Sequence, residues 1–407
     1  MKMLVPTIRF SDFTGEYEER PLSDFLSENK EKNRQNLYTK EDVKSVSGDY
    51  GVVNQIEFFG KSMAGADVSN YHVVHHNNIV YTKSPLKANP YGIIKCNTGT
   101  DGIVSTLYAV YYCNDDVVPE YVDYYFGYDK RVNKYLLPLV NIGAKHDMKV
   151  NNQDVISGSV FFPSIDEQKK VVEALNVYDE RVKNQLSVIE ALETRRKGLL
   201  QQIFSQEIRF KADDGSEFPD WEDTMLSDIL TERKLKSTGD EEVYSVSVAK
   251  GLVNQIEHLG RSFAAEDTSK YKVVKPGDVV YTKSPTGDFK WGIVKQSMID
   301  KDVIVSPLYG IFIPKSYAFG FVLDAYFSSS VRAHNYLITQ IRKGAKNTIN
   351  ITNDVFLEKE ICLPTSEEEA RKIQAFVELL DKQIQIEKDK LEAIKQVKKG
   401  LLQQMFV

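Results

Sequence analysis

The sequence has few cysteines and no long apolar stretch, and both deficits narrow the class of protein. Its 407 residues include only three cysteines, Cys96, Cys113 and Cys362, and no two of them form a C-x-x-C pair. A disulfide framework is therefore not expected, and this cysteine usage is typical of a reducing compartment. No apolar run approaches the ~18–20 residues that a membrane helix needs, and the N-terminus lacks the apolar segment of a secretory signal. We therefore expect a cytoplasmic protein that does not associate with membranes.

The chain also lacks an excess of positive charge. Its 52 Lys and Arg residues against 58 Asp and Glu residues give a formal net charge of −6. This balance argues against a protein that coats nucleic acid by charge alone, but it allows a basic groove on an acidic body. At 407 residues the chain is too long for one ordinary core, so two to three domains are expected.

Signatures of catalysis are missing as well. Asn89-Pro90-Tyr91 is similar to the Asn-Pro-Pro-Tyr loop of adenine methyltransferases but lacks the second proline, so we interpret it as a turn. Gly60-Lys61-Ser62 lacks the preceding glycine that a P-loop requires. The three histidines of segment 72–76 have no cysteine pair beside them and no histidine counterparts 200 residues further on. We therefore predict no catalytic residue, no metal site and no cofactor in this chain.

What the chain does contain is an internal repeat. Val53-Asn54-Gln55-Ile56-Glu57 and Tyr81-Thr82-Lys83-Ser84-Pro85 both recur without change 200 residues further on, from Val253 and from Tyr281. The offset grows to 202 at Lys197-Gly198-Leu199-Leu200-Gln201-Gln202, which recurs from Lys399. A period of about 200 residues is far too long for a solenoid, so we predict two copies of one large unit.

The first part of each copy is rich in short strand-like segments. Runs of apolar, β-branched or aromatic residues occur at Ile79–Thr82, Gly102–Ser105 and Ala109–Tyr112. Helical patterns follow around Glu120–Tyr135 and, in the second copy, around Phe319–Leu337. We predict a globular α+β domain of about 160 residues in each copy.

The second part of each copy has the pattern of one long helix. The pattern follows Pro163 and Pro364, each near a serine and ahead of acidic residues, as at helix N-termini. Mostly apolar positions then recur at alternating spacings of three and four residues, which is typical of a coiled coil. The predicted seam comprises Leu175, Tyr178, Val182, Gln185, Ile189, Leu192, Arg196, Leu199 and Ile203 in the first helix and Val377, Leu380, Ile384, Glu387, Leu391, Ile394, Lys398, Leu401 and Met405 in the second. Packing of the two helices on each other is favoured over packing of each on its own domain.

Polar seam positions indicate the direction of the pair. In an antiparallel pair with Ile189 facing Ile394, Arg196 faces Glu387. Gln185 then faces Lys398. In a parallel pair Arg196 would meet Lys398, a like-charge contact that costs stability. We therefore predict an antiparallel coiled coil in this register.

The order of globular domain, long helix, globular domain and long helix resembles the specificity subunit of Type I restriction–modification enzymes. Short motifs resemble it too, and they are Tyr71-x-Val73-Val74, Ile79–Lys83, Gly102–Ser105, Phe161-Phe162-Pro163 before Glu167–Lys170, and Lys197–Phe204 in the first copy, with Val303–Pro307 and Leu401–Phe406 in the second. The resemblance covers essentially the whole chain. One departure is Glu367–Ala370, where the second helix start lacks the usual glutamine.

The resemblance implies a DNA-binding protein without catalysis of its own. Each of two target-recognition domains would read one half of a split site in double-stranded DNA, and the helices would act as a spacer and as the seat of two DNA adenine methyltransferase subunits. Those subunits would bring S-adenosylmethionine and flip out the adenine that they methylate. ATP-dependent restriction and translocase subunits would bring ATP and magnesium. A rigid spacer would admit only half-sites at a matching separation.

These interpretations predict an α+β fold with a pseudo-twofold internal repeat and divide the chain into four segments. Residues 1–164 are target-recognition domain 1, residues 165–205 the first spacer helix, residues 206–364 target-recognition domain 2 and residues 365–407 the second spacer helix. Because the recognition domains are so alike in sequence, we expect related half-sites that form an interrupted near-palindrome.

Residues expected to touch DNA lie in the matched loops. Side-chain amides can read adenine, and long cationic side chains can bind guanine or phosphate. The segments 86–91 and 286–291 differ between the copies, which suits a loop that determines specificity. The candidates are Asn54, Gln55, Lys83, Ser84, Lys87, Asn89, Tyr91 and Lys145 in the first copy and Asn254, Gln255, Lys283, Ser284, Lys290, Trp291, Arg342, Lys343 and Lys346 in the second. Tyr81 and Ile56 are expected in the core. Leu186 and Leu200 are expected on a helix face left for partner subunits.

Two other functions remain open from the sequence. One is the recognition subunit of a Type IIB-like complex, in which the nuclease is fused to the methyltransferase. The other is a coiled-coil adaptor that binds proteins and not DNA. Co-purification would separate the first from our prediction, and a gel-shift assay on a bipartite site would separate the second.

Overall fold

The chain divides into two compact units. Unit 1 comprises Met1–Ser187 and Lys388–Val407, and unit 2 comprises Val188–Glu387. The computed structural model describes residues 5–142, 148–259, 267–340, 342–343 and 349–407. Each of the two long helices lies partly in one unit and partly in the other.

Unit 1 combines short strands with short helices. Its described strands are β1 (Glu18–Pro21), β2 (Leu26–Glu28), β3 (Lys44–Ser47), β4 (Gly51–Asn54), β5 (His72–Val74), β6 (Ile79–Thr82), β7 (Ile94–Cys96), β8 (Gly102–Val104), β9 (Tyr108–Cys113), β10 (Asn141–Ile142), β11 (Met148–Lys149) and β12 (Ser159–Phe162). Its described short helices are α1 (Gln55–Phe59), α2 (Pro119–Phe126), α3 (Asp129–Leu136) and α4 (Asn152–Val155), with 3-10 turns at Leu22–Asp24 and Lys40–Asp42. The long helix α5 (Ile165–Phe204) begins here.

Unit 2 repeats this order of elements. Its described strands are β13 (Glu222–Met225), β14 (Leu230–Glu232), β15 (Tyr244–Ser247), β16 (Gly251–Asn254), β17 (Lys272–Val274), β18 (Val279–Tyr281), β19 (Val294–Gln296), β20 (Val303–Val305), β21 (Gly310–Pro314), β22 (Arg342–Lys343), β23 (Ile349–Asn350) and β24 (Glu360–Leu363). Its described helices are α6 (Leu226–Ile229), α7 (Gln255–Leu259), α8 (Tyr317–Phe327), α9 (Ser330–Leu337) and α10 (Asn353–Leu357), followed by the long helix α11 (Glu367–Gln404).

Both units carry the same sheet topology. An antiparallel four-stranded sheet has the order β2-β9-β6-β7 in unit 1 and β14-β21-β18-β19 in unit 2. Two-stranded ladders such as β5–β8 and β17–β20 are matched in the same way. The duplication and the α+β fold predicted from the sequence are confirmed.

The central strand of each sheet is buried on both faces because its side chains alternate between two cores. In β6, Ile79 and Tyr81 point into the large cluster that packs against α2 and α3, while Val80 joins a smaller cluster on the opposite face. Val280 of β18 faces a separate cluster in the same way. Continuous apolar runs in the sequence therefore correspond to strands covered on both sides. Tyr81 is fully buried, as expected.

Each helical pattern predicted after the sheet is in fact a pair of helices. In unit 1 the pattern breaks at Gly127 and Tyr128, between α2 and α3. In unit 2 it breaks at Ser328 and Ser329, and the Ser329 hydroxyl accepts a hydrogen bond from the Arg332 amide at 3.4 Å. Polar residues stand at both breaks, Asp129 in unit 1 and Ser328–Ser330 in unit 2, and they were the available signal for two helices.

The long helices pack side by side in each unit. In unit 1 the start of α5 and the end of α11 enter one core, where Leu401 and Leu402 of α11 pack against the cluster that contains Val172 and Leu175. In unit 2 the end of α5 and the start of α11 enter the other core, through Ile203 and Val377 among others. The start of one helix thus lies with the end of the other, which is the predicted antiparallel arrangement. The helices pack on each other and also complete the cores of the domains.

All predicted seam positions are partly or fully buried, and Ile189 and Ile384 are each 7% exposed. The predicted register, however, is wrong. Arg196 binds Asp381, with its Nη2 donating to Oδ2 at 3.0 Å, where the prediction had Glu387. In unit 1 Lys398 pairs with Asp179. The predicted partner of Lys398 was Gln185. Each observed partner therefore lies six residues before the predicted one.

Two of the expected burial assignments are also wrong. Leu200 is 2% exposed and packs in the core of unit 2, whereas Leu186 is 47% exposed as predicted. Ile56 was expected in the core but is 37% exposed, because α1 has only five residues and turns little of its surface inward.

Matched salt bridges hold the starts of the long helices. Glu167 near the start of α5 accepts two hydrogen bonds from the Arg9 guanidinium, each at 2.8 Å, and one from the Tyr17 hydroxyl. Glu369 near the start of α11 accepts two from Arg209, from Nε at 2.9 Å and from Nη2 at 3.2 Å. Both carboxylates are almost fully buried, so the guanidinium groups balance charges that would otherwise be costly to bury.

Candidate nucleic-acid interface

The central strands β6 and β18 each lead into a lysine at a sharp exit from the sheet. Lys283 has a φ of 53°, in the left-handed region that non-glycine residues rarely adopt. In each unit, the loop that leads back to the next strand packs closely against this exit. A Cβ on Gly92 would lie 2.1 Å from the Thr82 carbonyl oxygen, and one on Gly292 would lie 2.9 Å from the Lys283 nitrogen. The repeated Tyr-Thr-Lys-Ser-Pro motif thus joins the end of the central strand to a tightly packed loop.

An exposed leucine lies opposite each of these lysines. The Lys83 amide donates to the Leu107 carbonyl at 3.1 Å, and the β18–β21 register places Leu308 opposite Lys283. Leu107 is 60% exposed and Leu308 is 70% exposed. Each domain therefore places the backbone of a partly buried lysine opposite that of an exposed leucine at one sheet end.

The lysine ammonium groups are partly buried. Within the described part of the chain, neither forms a hydrogen bond or an ion pair. Burial lowers the pKa of Lys83, although Glu28 partly opposes this effect. Burial and the neighbouring Lys272 lower the pKa of Lys283 to about 8, against the attraction of Glu232.

A carboxylate held by an asparagine lies near each lysine. Glu28 accepts hydrogen bonds from Asn152 Nδ2 at 2.6 Å and from Gln153 Nε2 at 3.0 Å. Burial raises the pKa of Glu28, but these hydrogen bonds outweigh burial and the pKa is lowered. Glu232 accepts from Asn353 Nδ2 at 2.5 Å. The carboxylates are thus fixed near the cations without binding them directly.

The two clusters differ at one position. Unit 1 has His72, whose pKa is lowered by burial and by Lys32 and Lys83, and whose Nδ1 has no hydrogen-bond partner among the described residues. Unit 2 has Lys272, whose Nζ donates to the Tyr309 carbonyl at 2.6 Å. Because a second lysine replaces a largely neutral histidine, the cluster of unit 2 is the more positive.

The loops that leave these strands are exposed and anchored at one end. In unit 1 the predicted turn closes with paired backbone hydrogen bonds between Leu86 and Asn89, and buried Asn89 donates to Asp129 at 2.9 Å. In unit 2 Thr286 and Phe289 pair in the same way. Of the predicted DNA contacts, Ser84, Lys87 and Lys290 are exposed, whereas Tyr91, Ser284 and Trp291 are partly buried. Trp291 Nε1 donates to His334 at 3.0 Å.

The predicted base-reading amides are occupied inside their own domains. Asn54 caps α1 by accepting from the Ile56 and Glu57 amides, and Asn254 caps α7 likewise. Gln55 is 9% exposed, and its Nε2 donates to Ser45 at 2.8 Å. Gln255 donates to Ser245 at the same distance. Contact of these amides with bases stays a prediction, but their structural role is clear.

The basic cluster around the repeated Gly-Ala-Lys segment falls mainly outside the described residues. Lys145 and Lys346 lie in undescribed segments, and Arg342 and Lys343 belong to β22, of which only the backbone is described. The hairpins β10–β11 and β22–β23 nevertheless lead directly into α4 and α10, which carry Asn152 and Asn353.

Sequence reasoning missed the leucines and the carboxylates of this site. Leu107 and Leu308 are related by an offset of 201, but an isolated leucine carries no functional signal. Glu28 and Glu232 are related by 204, so a fixed offset does not align them. The shared Leu-x-Glu pattern at Leu26 and Leu230 was the available signal.

Within the part of the chain that the structure describes, no helix combines the length and apolar character needed to cross a membrane. No group of three or more His, Cys, Asp or Glu side chains within these residues is placed to hold a metal ion.

No protein-family profile matches the chain, but individual proteins resemble it. Over 262 residues it is 27% identical to the specificity subunit of the Type I restriction enzyme MjaVIII from Methanocaldococcus jannaschii. The matched stretch spans 59% of this chain and 59% of that relative.

Two solved structures extend the comparison to nearly the whole chain. The S subunit of a Type I restriction–modification system from M. genitalium has a TM-score of 0.52 at 13% identity and covers 99% of both chains. The chain has the specificity-subunit fold. A chain from a structure of the Type I restriction–modification system has a TM-score of 0.54 at 14% identity, covering 96% of this chain and 97% of that one. The specificity-subunit fold confirms the resemblance predicted from the domain and helix order.

Proposed function

We propose that the chain is the recognition subunit of a Type I restriction–modification enzyme. It binds a bipartite site in double-stranded DNA and directs methyltransferase and restriction subunits to that site, without catalysis of its own. S-adenosylmethionine, ATP and magnesium belong to the partner subunits in this proposal.

One observation carries the proposal: the same cationic strand end occurs twice within a specificity-subunit fold. Lys83 and Lys283 are both partly buried, and each has an exposed leucine opposite and a carboxylate nearby. Duplicated readers suit a site with two halves, since each domain then meets the same kind of surface. The expectations that the half-sites are related and that the helices set their separation stay predictions.

Co-expression with the products of neighbouring genes, followed by methylome sequencing, tests the proposal. We expect adenine methylation in a two-part motif with a fixed gap, which disappears when this chain is omitted. Gel-shift assays with the purified complex should then show preference for that motif over a scrambled gap.

Other results would replace the proposal. Co-purification with a methyltransferase fused to a nuclease would assign the chain to a Type IIB-like complex. Absence of DNA binding by a well-folded complex would favour a protein adaptor.

A further inference from the structure

We propose that each domain reads DNA with a lysine–leucine pair, Lys83 with Leu107 and Lys283 with Leu308. The leucine covers the C5-methyl group of a thymine, and the lysine ammonium donates to an acceptor on the neighbouring base pair or phosphate. This inference rests on the proposed DNA-binding function and identifies the group that each domain recognises.

The lysines have features that oppose folding. Partial burial of an ammonium group removes water from it, and this cost applies to both lysines. At Lys283 a left-handed backbone, which is costly for a residue with a Cβ, adds to it. Within the described part of the chain no hydrogen bond or ion pair of either ammonium offsets these costs. The partly buried, unpaired cation occurs in both domains, which indicates that a molecule outside the chain supplies the missing acceptor.

The backbone of each exposed leucine is held in a hydrogen-bonded turn. The Leu107 amide donates to Ser105 Oγ at 3.4 Å, and the Leu308 amide donates to Ser306 Oγ at 3.3 Å. The next residue closes the same turn, since the Tyr108 amide donates to the Ser105 carbonyl. The Tyr309 amide donates to the Ser306 carbonyl in the same way. Because the backbone of each leucine is already ordered, only side-chain freedom is lost on binding, so an exposed leucine here suits a preorganised contact.

DNA fits this pair because thymine places a methyl group beside a carbonyl oxygen at the major-groove edge. Apolar side chains recognise that methyl group, and lysines bind the guanine O6 and N7 acceptors or phosphates nearby. A cation beside an apolar tip therefore matches a mixed apolar and electronegative surface. The site of unit 2 adds Lys272, so it should hold its half-site more tightly at low salt.

Deoxyuridine substitution tests the leucines in the complex purified with its methyltransferase subunits. Once methylome sequencing has defined the motif, each thymine is replaced in turn by deoxyuridine, which removes only the methyl group. For the unaltered protein we expect about a fourfold loss of affinity at one position in each half-site. Leu107→Ala should abolish this sensitivity in one half-site and Leu308→Ala in the other. Leu37→Ala, at a 74% exposed leucine of unit 1, is the control and should retain both sensitivities.

Lysine variants test the other half of the pair. Lys83→Met and Lys283→Met should each weaken binding about tenfold while leaving the thermal unfolding midpoint unchanged or higher. A shallower salt dependence in the variant identifies a phosphate as the acceptor, and an unchanged slope with altered base preference identifies guanine.

The outcomes separate this inference from the proposed function. Specific binding that stays sensitive to deoxyuridine in both leucine variants, or that shows no sensitive thymine at all, overturns the inference alone. Lysine variants that unfold more readily and bind normally also overturn it. Absence of specific DNA binding by the unaltered complex overturns the proposed function itself.

Discussion

Lys283 shows how one side chain can oppose folding and still suit a binding surface. Its pKa is lowered to about 8 by burial and Lys272, against an ordinary value of 10.5. The folded protein therefore loses this proton at lower pH than the unfolded chain does. Between these values the unfolded state binds more protons, so stability contributed by this group rises with pH.

Lys283→Met should therefore increase the free energy of unfolding at pH 7, where the cost of the buried charge is fully present. The advantage over the unaltered protein should shrink as pH rises from about 8 towards 10.5. Denaturant unfolding at about pH 7, 8.5 and 10 measures this difference on both sides of the lowered pKa. A stability difference that does not vary with pH would show that the ammonium is not desolvated in the folded protein.

Gln55 is a residue for which structure changes the expected effect of mutation. Its side chain donates to Ser45 and accepts from the Met63 amide at 2.7 Å, so it joins β3 to the segment after α1. Gln55→Ala removes these partly buried hydrogen bonds together with a buried side chain, and should lower the free energy of unfolding by about 1–3 kcal/mol. Chemical denaturation measures the loss, and Lys87→Ala in an exposed loop serves as the control. Unchanged stability with altered base preference would restore the base-reading role.

At the scale of elements, the end of each long helix is held by an arginine of the domain that receives it. Arg131 donates from Nη1 to the Tyr125 carbonyl and from Nη2 to the Leu402 carbonyl of α11, both at 2.9 Å. Its guanidinium also lies 5.1 Å from the centroid of Phe406. In unit 2, Arg332 lies 4.6 Å from the ring centroid of Phe204, at the end of α5. The matched arginines thus fasten the C-terminal ends of both long helices.

Arg131→Met should destabilise unit 1 by about 2 kcal/mol, because two carbonyl groups lose their donor. Arg131→Lys should recover only part of the loss, since an ammonium cannot reproduce the planar fork of a guanidinium. Thermal unfolding compares both variants with Lys130→Met, which alters an exposed neighbour. Equal stability of all three would remove Arg131 from the account of helix anchoring.

The long helices also show which of their features can be predicted from the heptad pattern of the sequence. Heptad spacing identifies the covered face of α5 and α11, because side chains three and four residues apart share one side of a helix. It does not identify the partner residue, because several registers bury similar apolar layers. Asp381 and Asp179 decide the pairing, together with the domain cores that enclose the helix ends.

At the scale of the whole molecule, each unit attaches a short segment to the C-terminal end of a long helix. In unit 2 this segment follows the helix directly, whereas in unit 1 it comes from the beginning of the sequence. The Ile208 amide, just after α5, donates to the Gln202 carbonyl at 3.1 Å. The Ile8 amide donates to the Gln404 carbonyl of α11 at 2.9 Å, although these residues lie at opposite ends of the sequence. The described N-terminal segment thus takes the place that a covalent continuation of α11 would have.

A circular permutant should therefore fold. Joining Val407 to Met1 through a short glycine–serine linker, with new ends between exposed Asp213 and Asp214, preserves both attachments. We expect cooperative unfolding and unchanged DNA affinity in the complex. Opening the chain instead between Val80 and Tyr81, in the buried strand β6, should prevent folding. Failure of the first permutant to fold, under conditions where the unpermuted chain folds, would contradict this account of the chain ends.

Duplication, α+β character and the covered faces of the long helices all followed from residue pattern, because repeats and periodicity are recorded along the chain. Tertiary packing decided the rest: which helix end completes which core, which acid pairs with Arg196, and which side chains surround Lys83 and Lys283. These contacts join residues far apart in sequence, such as Lys83 with Leu107 and Glu28 with Asn152. Their energies depend on burial and geometry, which no local pattern specifies.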